Sequence, residues 1–224
     1  MSKKAPNLVL IPQATLVTFQ GVTTKVKYDA KTKKTIPADD GKYVATLLIP
    51  IIVNIDYIKS AMQNAAAVED ANTPFAQWEK AVKVGNKIIE KNIKKQPDKS
   101  PERWAMYKDQ WVIECRSTFP PAFSIPEGGR AKTLDESQFA LIKSLFYSGC
   151  QVAAELNFVA NKIDSGKDDA DGNDIYNFYI NAYHNSLLKI GDGPRLGRKS
   201  QDDIFKNVLG GKTTANPTAG DEDF

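Results

Sequence analysis

Two long stretches near the C-terminal end of the chain alternate with a period of two on either side of an acidic turn. From Tyr147 to Asn161, Val152, Ala154, Leu156, Phe158 and Ala160 point one way, and Gln151, Glu155 and Asn157 the other. Asp164 to Asp174 form the acidic turn. From Ile175 to Leu188 the alternation resumes, with Phe178, Ile180 and Ala182 on a core face and Asn177, Tyr179, Asn181, Tyr183 and Asn185 on the opposite one. This is the pattern of strands buried on one side only. It commits the chain to a mainly β fold.

Three further strand regions precede this pair. The first spans residues 8–28, with strand-like pieces at Leu8–Ile11, Ala14–Gln20 and Val22–Tyr28. The second is the continuous apolar run Tyr43 to Ile49, ended by Pro50. The third is Gln110 to Thr118, followed by the stiff Phe119-Pro120-Pro121. Between the second and third the period changes. Asp56 to Asp70 is alanine-rich and helical in pattern. Thr73 and Pro74 then supply a helix start for Phe75 to Lys95. Lys80, Lys83, Lys87, Lys91 and Lys94 recur there at helical spacing, as a solvated face or a phosphate-contacting edge. Leu134 to Leu145 also has a helical pattern. Five strands with a helical insertion at about 54–96 predict a five-stranded OB-fold barrel over residues 1–209. Residues 210–224 form a separate tail, since the spacer 210–219 has almost nothing to bury.

Charge is unevenly placed along the 224 residues. The tail ends in Asp221, Glu222, Asp223 and Phe224 and holds three of the 27 acids, which leaves 24 acids against 30 Lys and Arg in the body. A cationic body permits a polyanion ligand. The acidic tip, with Phe224 as anchor, suits docking on a basic pocket of a partner protein or competition for the chain's own basic groove. Cys115 and Cys150 lie in separate apolar segments, which suggests no disulfide framework and fits a reducing cytoplasm. No apolar run is long enough to cross a bilayer, and the first residues lack the apolar core of a signal peptide. A single histidine, His184, argues against histidine-based metal or triad chemistry.

The fifth strand carries the sharpest functional signal. Phenol rings at Tyr179 and Tyr183 offer stacking platforms for bases, and Asn177 and Asn181 offer amides for base edges or phosphates. Packing of these tyrosines against a neighbouring strand is the competing explanation. Lys189, Arg195, Arg198 and Lys199 flank a glycine-rich turn and suit phosphates. Lys27 and Tyr28 end the first strand region in the same style. Trp104, Tyr107 and Arg116 cluster around the third strand. Trp104 and Tyr107 lie in a polar segment, and Trp111 is the better core candidate. Three other motifs fail. Residues 167–178 lack the Asp and Glu that a calcium loop needs at its first and last ligand positions. Gly211-Lys212-Thr213 lacks the earlier glycine of a P-loop. The acids of the hairpin turn, Asp168, Asp169 and Asp171, have no histidine or cysteine ligand nearby, so a metal-dependent nuclease stands only as the alternative. No cofactor or metal is expected.

Several segments resemble bacteriophage single-stranded DNA-binding proteins, a family long catalogued as a domain of unknown function, with an enterobacterial phage protein as the expected near relative. The matching pieces are the strand Lys42 to Pro50, Phe146-Tyr147-Ser148-Gly149-Cys150, Leu156-Asn157-Phe158, and the run from Asn185 to Arg198. The resemblance implies an OB-fold that binds single-stranded DNA without strong sequence preference, in phage replication, recombination or repair. It also implies that the acidic tail contacts phage or host replication and recombination proteins, in the cytoplasm of the infected bacterium. A homodimer or a higher assembly on DNA is compatible with it. An adaptor whose working surface is the tail alone is the remaining reading.

Overall fold

The structure is a computed structural model that describes residues 7–18, 21–32, 34–168 and 174–196. In chain order the strands are β1 (Leu8–Val17), β2 (Val26–Asp29), β3 (Lys34–Pro37) and β4 (Tyr43–Pro50). Helix α1 (Asp56–Glu69), strand β5 (Val82–Val84) and helix α2 (Gly85–Lys95) follow. The remainder is β6 (Gln110–Ser117), β7 (Ala122–Glu127), β8 (Arg130–Leu134), α3 (Phe139–Leu145), β9 (Gln151–Asp168) and β10 (Asp174–Gly191).

Five strands form a ring. β1 runs antiparallel to β4 on one side and to β9 on the other. β4 is antiparallel to β6, and β9 to β10. The ring closes where Ala182 of β10 lies beside Cys115 of β6, in parallel. This is an OB-like, partly open barrel, and its five members are the five strands expected from sequence. The expected total of five is too low, however: the described residues contain ten strands. β2 and β3 make a separate hairpin between β1 and β4, β5 adds to β6, and β7–β8 extends the sheet beyond β10.

The inward faces follow the period-two pattern. Ile11, Leu16, Leu47, Ile49, Ile113, Cys115, Leu156, Phe158, Ile180 and Leu187 are all buried in one cluster. Each large apolar side chain so enclosed contributes about 1.5–3 kcal/mol relative to exposure. Helix α1 adds Ile58, Ala61, Met62, Ala65 and Ala66, whose three- and four-residue spacing makes one apolar stripe. A second, smaller cluster lies outside the ring. There Val17, Leu48 and Val112 are covered by Ile88, Met106 and Tyr107 from the connection between β4 and β6, and by Leu196 from the end of the described chain.

The long helix expected over Phe75 to Lys95 is not formed. Phe75–Gln77 is a 3-10 turn, the chain is then extended through Val82–Val84, and α2 begins only at Gly85. Tertiary contacts explain the break. Trp78 is buried and meets Phe178 edge-on at 5.1 Å. The Glu79 N–H donates to the Phe178 carbonyl at 2.9 Å, and the Glu79 carbonyl accepts from the Ile180 N–H at 2.8 Å. β5 then pairs with β6 over residues 111–113. Residues 79–84 therefore fill the gap where β6 and β10 diverge below the Ala182–Cys115 pair. The five lysines do not share a helical stripe: Lys80 and Lys83 lie on this extended wedge, and Lys87, Lys91 and Lys94 on α2.

Beyond Ala160 and Ile180, the last buried residues on their strands, β9 and β10 continue as a two-stranded arm to Asp168 opposite Asp174. Lys162 ties the arm to the end of α1, its ammonium 3.1 Å from Asp70 and 4.4 Å from the Tyr176 ring centroid. Among the described residues, no helix is long and apolar enough to cross a membrane.

Candidate nucleic-acid interface

A period-two strand that turns Ile180 and Ala182 inward must turn Tyr179, Asn181 and Tyr183 outward. The same rule turns Glu114 and Arg116 outward from β6, on either side of the buried Cys115. Because Ala182 stands beside Cys115, these outward residues share one face. A groove of about 210 Å³ lies there, over the wedge, with the side chains of Lys80, Lys83, Glu114, Arg116, Tyr179 and Asn181 at its rim.

The chemistry of the groove is mixed. Lys83 pairs with Glu114 at 3.5 Å. The Lys80 ammonium donates to the carbonyls of Phe75 and Trp78 and sits 4.8 Å from the Phe75 ring centroid. Arg116 is exposed and has no ion-pair partner among the described residues. Tyr179 and Tyr183 are half-buried, and neither hydroxyl has a hydrogen-bond partner among those residues. Across β9, Tyr179 faces Asn161, Asn181 faces Val159, Tyr183 faces Asn157 and Asn177 faces Ile163. Asn177 and Asn181 are exposed. Open rings, amides and an unpaired guanidinium thus occur together at one seam of the barrel.

Other candidates lie elsewhere. Lys27 and Tyr28 sit on β2, with Tyr28 65 % exposed and Lys27 paired to Asp40 at 2.9 Å. Trp104 is a correction: at 7 % exposure it is a core residue, and its ring faces are not available for stacking. Trp111, expected in the core, is half-buried and donates its indole N–H to the Ile51 carbonyl at 3.2 Å. Tyr107 is also corrected in part, since its ring packs in the second cluster, and burial and then the nearby Glu114 charge raise its pKa.

Lys189 belongs to a self-contained cluster rather than an open phosphate site, and Arg195 lies at the edge of that cluster. Lys189 pairs with Asp192, and its side chain is only 12 % exposed. The Lys189 hydrogen bond, followed by that from Tyr147, holds the Asp192 carboxyl below its ordinary range. The Tyr147 hydroxyl is 3.0 Å from both Asp192 Oδ1 and the Gly193 carbonyl, and the Arg195 guanidinium carbon lies 4.3 Å from the Tyr147 ring centroid. Gly149, at φ 109°, makes room for this cluster: a Cβ there would stand 1.8 Å from the Pro194 carbonyl oxygen. Lys189 is thus a structural cation, whereas Arg195 stays exposed on its aromatic support. Arg198, Lys199, Asp221, Glu222, Asp223 and Phe224 lie outside the described residues, as do Asp169 and Asp171. Asp168 is exposed at the end of the arm, and no group of three potential metal ligands occurs among the described residues.

Sequence reasoning missed Lys80, Lys83 and Glu114 as neighbours of the tyrosines. The alternation Ala81-Val82-Lys83-Val84, with two β-branched residues, was the available signal for an extended segment.

Comparison with known proteins gives the family and the fold. Residues 22–215 match the model of a family described as Enterobacter phage Enc34, ssDNA-binding protein. No curated protein matches the chain. Among solved structures, the single-stranded DNA-binding protein of bacteriophage Enc34 in complex with ssDNA superposes with a TM-score of 0.55 at 17 % identity, over 88 % of this chain and 97 % of that one. Gp2.5, a single-stranded DNA-binding protein encoded by bacteriophage T7, superposes with a TM-score of 0.50 at 10 % identity, over 93 % of this chain and 98 % of that one. At these identities the likeness carries the fold.

Proposed function

The chain belongs to the Enterobacter phage Enc34 ssDNA-binding protein family, and from that premise we propose that it coats single-stranded DNA without strong sequence preference, as a non-enzymatic component of phage replication, recombination or repair. The observation that carries the reading is the seam groove, lined by Tyr179, Asn181 and the unpaired Arg116, with Tyr183 on the same outward face of β10. Bases stack on the phenols, Asn177 and Asn181 satisfy base edges or phosphates, and Arg116 takes a phosphate. Duplex DNA keeps its base faces stacked inside the helix, so a surface that binds through rings selects unpaired strands.

Lys27 and Tyr28 on the β2–β3 hairpin extend the contact surface, and Arg195, with Arg198 and Lys199 beyond it, adds phosphate contacts. The tail, residues 210–224, recruits replication or recombination proteins of the phage or host through Asp221, Glu222, Asp223 and Phe224, in the cytoplasm of the infected cell. Copies assemble side by side on the strand.

Titration of fluorescein-labelled single strands and matched duplexes across a salt series tests this. The single strand binds tighter, with a log–log salt slope of about −0.7 per phosphate neutralised. Equal or tighter duplex binding sinks the proposal. Incubation of single strands with magnesium or manganese leaves them intact, whereas clean cleavage lost on replacing Asp168 revives a nuclease.

A further inference from the structure

We propose that Phe119 forms a second base-stacking subsite, just beyond the seam groove, that receives an unpaired nucleobase of the same strand. The inference rests on the single-stranded DNA reading of that groove. Phe119 is 77 % exposed, more than any other aromatic ring among the described residues. The ring therefore leaves a π face open, and every nucleobase can stack on such a face.

The topology accounts for its placement. β6 and β7 lie one after the other along the same edge of β10, both parallel to it. Between the two contacts β10 advances four steps, from Ala182 to Ser186, while the other chain advances seven, from Cys115 to Ala122. The excess length must leave the ladder, and residues 118–121 are that loop. It is a stiff one. The Phe119 N–H is fixed by the Ser117 hydroxyl at 3.1 Å, and Pro120 and Pro121 restrict the backbone after it. A platform whose backbone is already ordered loses little freedom on binding.

Its position continues the track. The groove ends at Arg116, three residues before Phe119, on a strand that runs in the same direction as Tyr179 and Tyr183. On the other side Ser117 pairs with Tyr43, and the adjacent Lys42 bridges to Val26 at the foot of the hairpin bearing Lys27 and Tyr28. Phe119 thus lies between the groove and the hairpin. A strand that stacks on Tyr179 and Tyr183 and gives a phosphate to Arg116 meets Phe119 next.

The test compares the full chain with Phe119→Leu, which keeps apolar area but removes the π face, and Phe119→Trp, which keeps both. Labelled oligothymidylates of about 4 and about 16 nucleotides bracket the usual site sizes of such barrels. Phe119→Leu is expected to weaken the longer oligonucleotide by about fivefold or more, the lower end of base–aromatic stacking, with the salt slope unchanged. The shorter one, accommodated by the groove, is held as before. Phe119→Trp is expected to restore affinity, and its added fluorescence is quenched by the longer strand. Native affinity in Phe119→Leu at both lengths, with an unquenched tryptophan at this position, overturns the subsite while leaving the groove intact. A changed sedimentation coefficient of DNA-free Phe119→Leu with unchanged DNA affinity also overturns it, in favour of contact between copies. If the native chain itself fails to prefer single strands, the groove reading fails first.

Discussion

The Lys83 ammonium stands 3.5 Å from the Glu114 carboxylate at the rim of the seam groove. Glu114 therefore occupies a cation that a phosphate could use, and it also repels the strand. Glu114→Gln is expected to tighten single-strand binding by about two- to fivefold at low salt, the scale of one exposed pair. The gain should fade as salt screens the groove. Anisotropy titrations at two ionic strengths check this, and weaker binding would mean that the carboxylate contacts the DNA favourably.

Tyr179→Ala and Tyr183→Ala should each cost about 1–3 kcal/mol of single-strand affinity if both rings stack. Tyr→Phe at either position should be nearly silent, because neither hydroxyl has a partner among the described residues. Calorimetric titration separates the two series. A loss in the phenylalanine variants equal to that in the alanine variants would assign the role to the hydroxyls.

Trp104 gives the opposite expectation. With 7 % of its surface exposed, Trp104→Ala should lower folding stability by about 3–5 kcal/mol. DNA affinity per folded molecule should not change. Urea unfolding followed by titration of the folded fraction distinguishes this from a stacking role.

His184 makes stability depend on acid. It is 2 % exposed, and neither ring nitrogen has a hydrogen-bond partner among the described residues. Burial pushes its pKa down from 6.5 to about 4. The unfolded imidazole takes up a proton as pH falls below its ordinary value, whereas the folded one stays neutral until near pH 4. Folding stability from this group is complete above about pH 6.5 and falls by roughly 3 kcal/mol as pH drops to 4. His184→Leu should flatten that part of the profile in urea midpoints measured from pH 7 to pH 4.

β9 was legible because its burial alternates strictly from Val152 to Ala160, and β4 because its apolar run is continuous and ends at Pro50. The β7–β8 hairpin was not. Pro120, Pro121 and Pro126 break its pattern, and Arg130 to Thr133 are all exposed, so no apolar face marks β8. Its turn is made by Gly128 and Gly129, both at positive φ. The wedge was hidden for a different reason. Its lysines, three residues apart, imitate a helix, while the bonds that hold it extended come from Phe178 and Ile180, a hundred residues away. The tyrosine face of the fifth strand could be read locally. Its neighbours Lys80, Lys83 and Arg116 could be assigned to it only once the parallel closure at Cys115 was known. Trp104 was misplaced because polar sequence neighbours say little about what packs over a ring in a 3-10 turn.

Glu79 and Val82 to Val84 plug the split between two flanks of the barrel, so the stretch that looks most like an accessory is a keystone. A miniature version in which Pro50 is joined directly to Gln110 would leave Phe178 without Trp78 and would open its greasy interior to water along that split. Any trimmed form of this protein has to keep Trp78 through Val84, and the arch stands or falls with them.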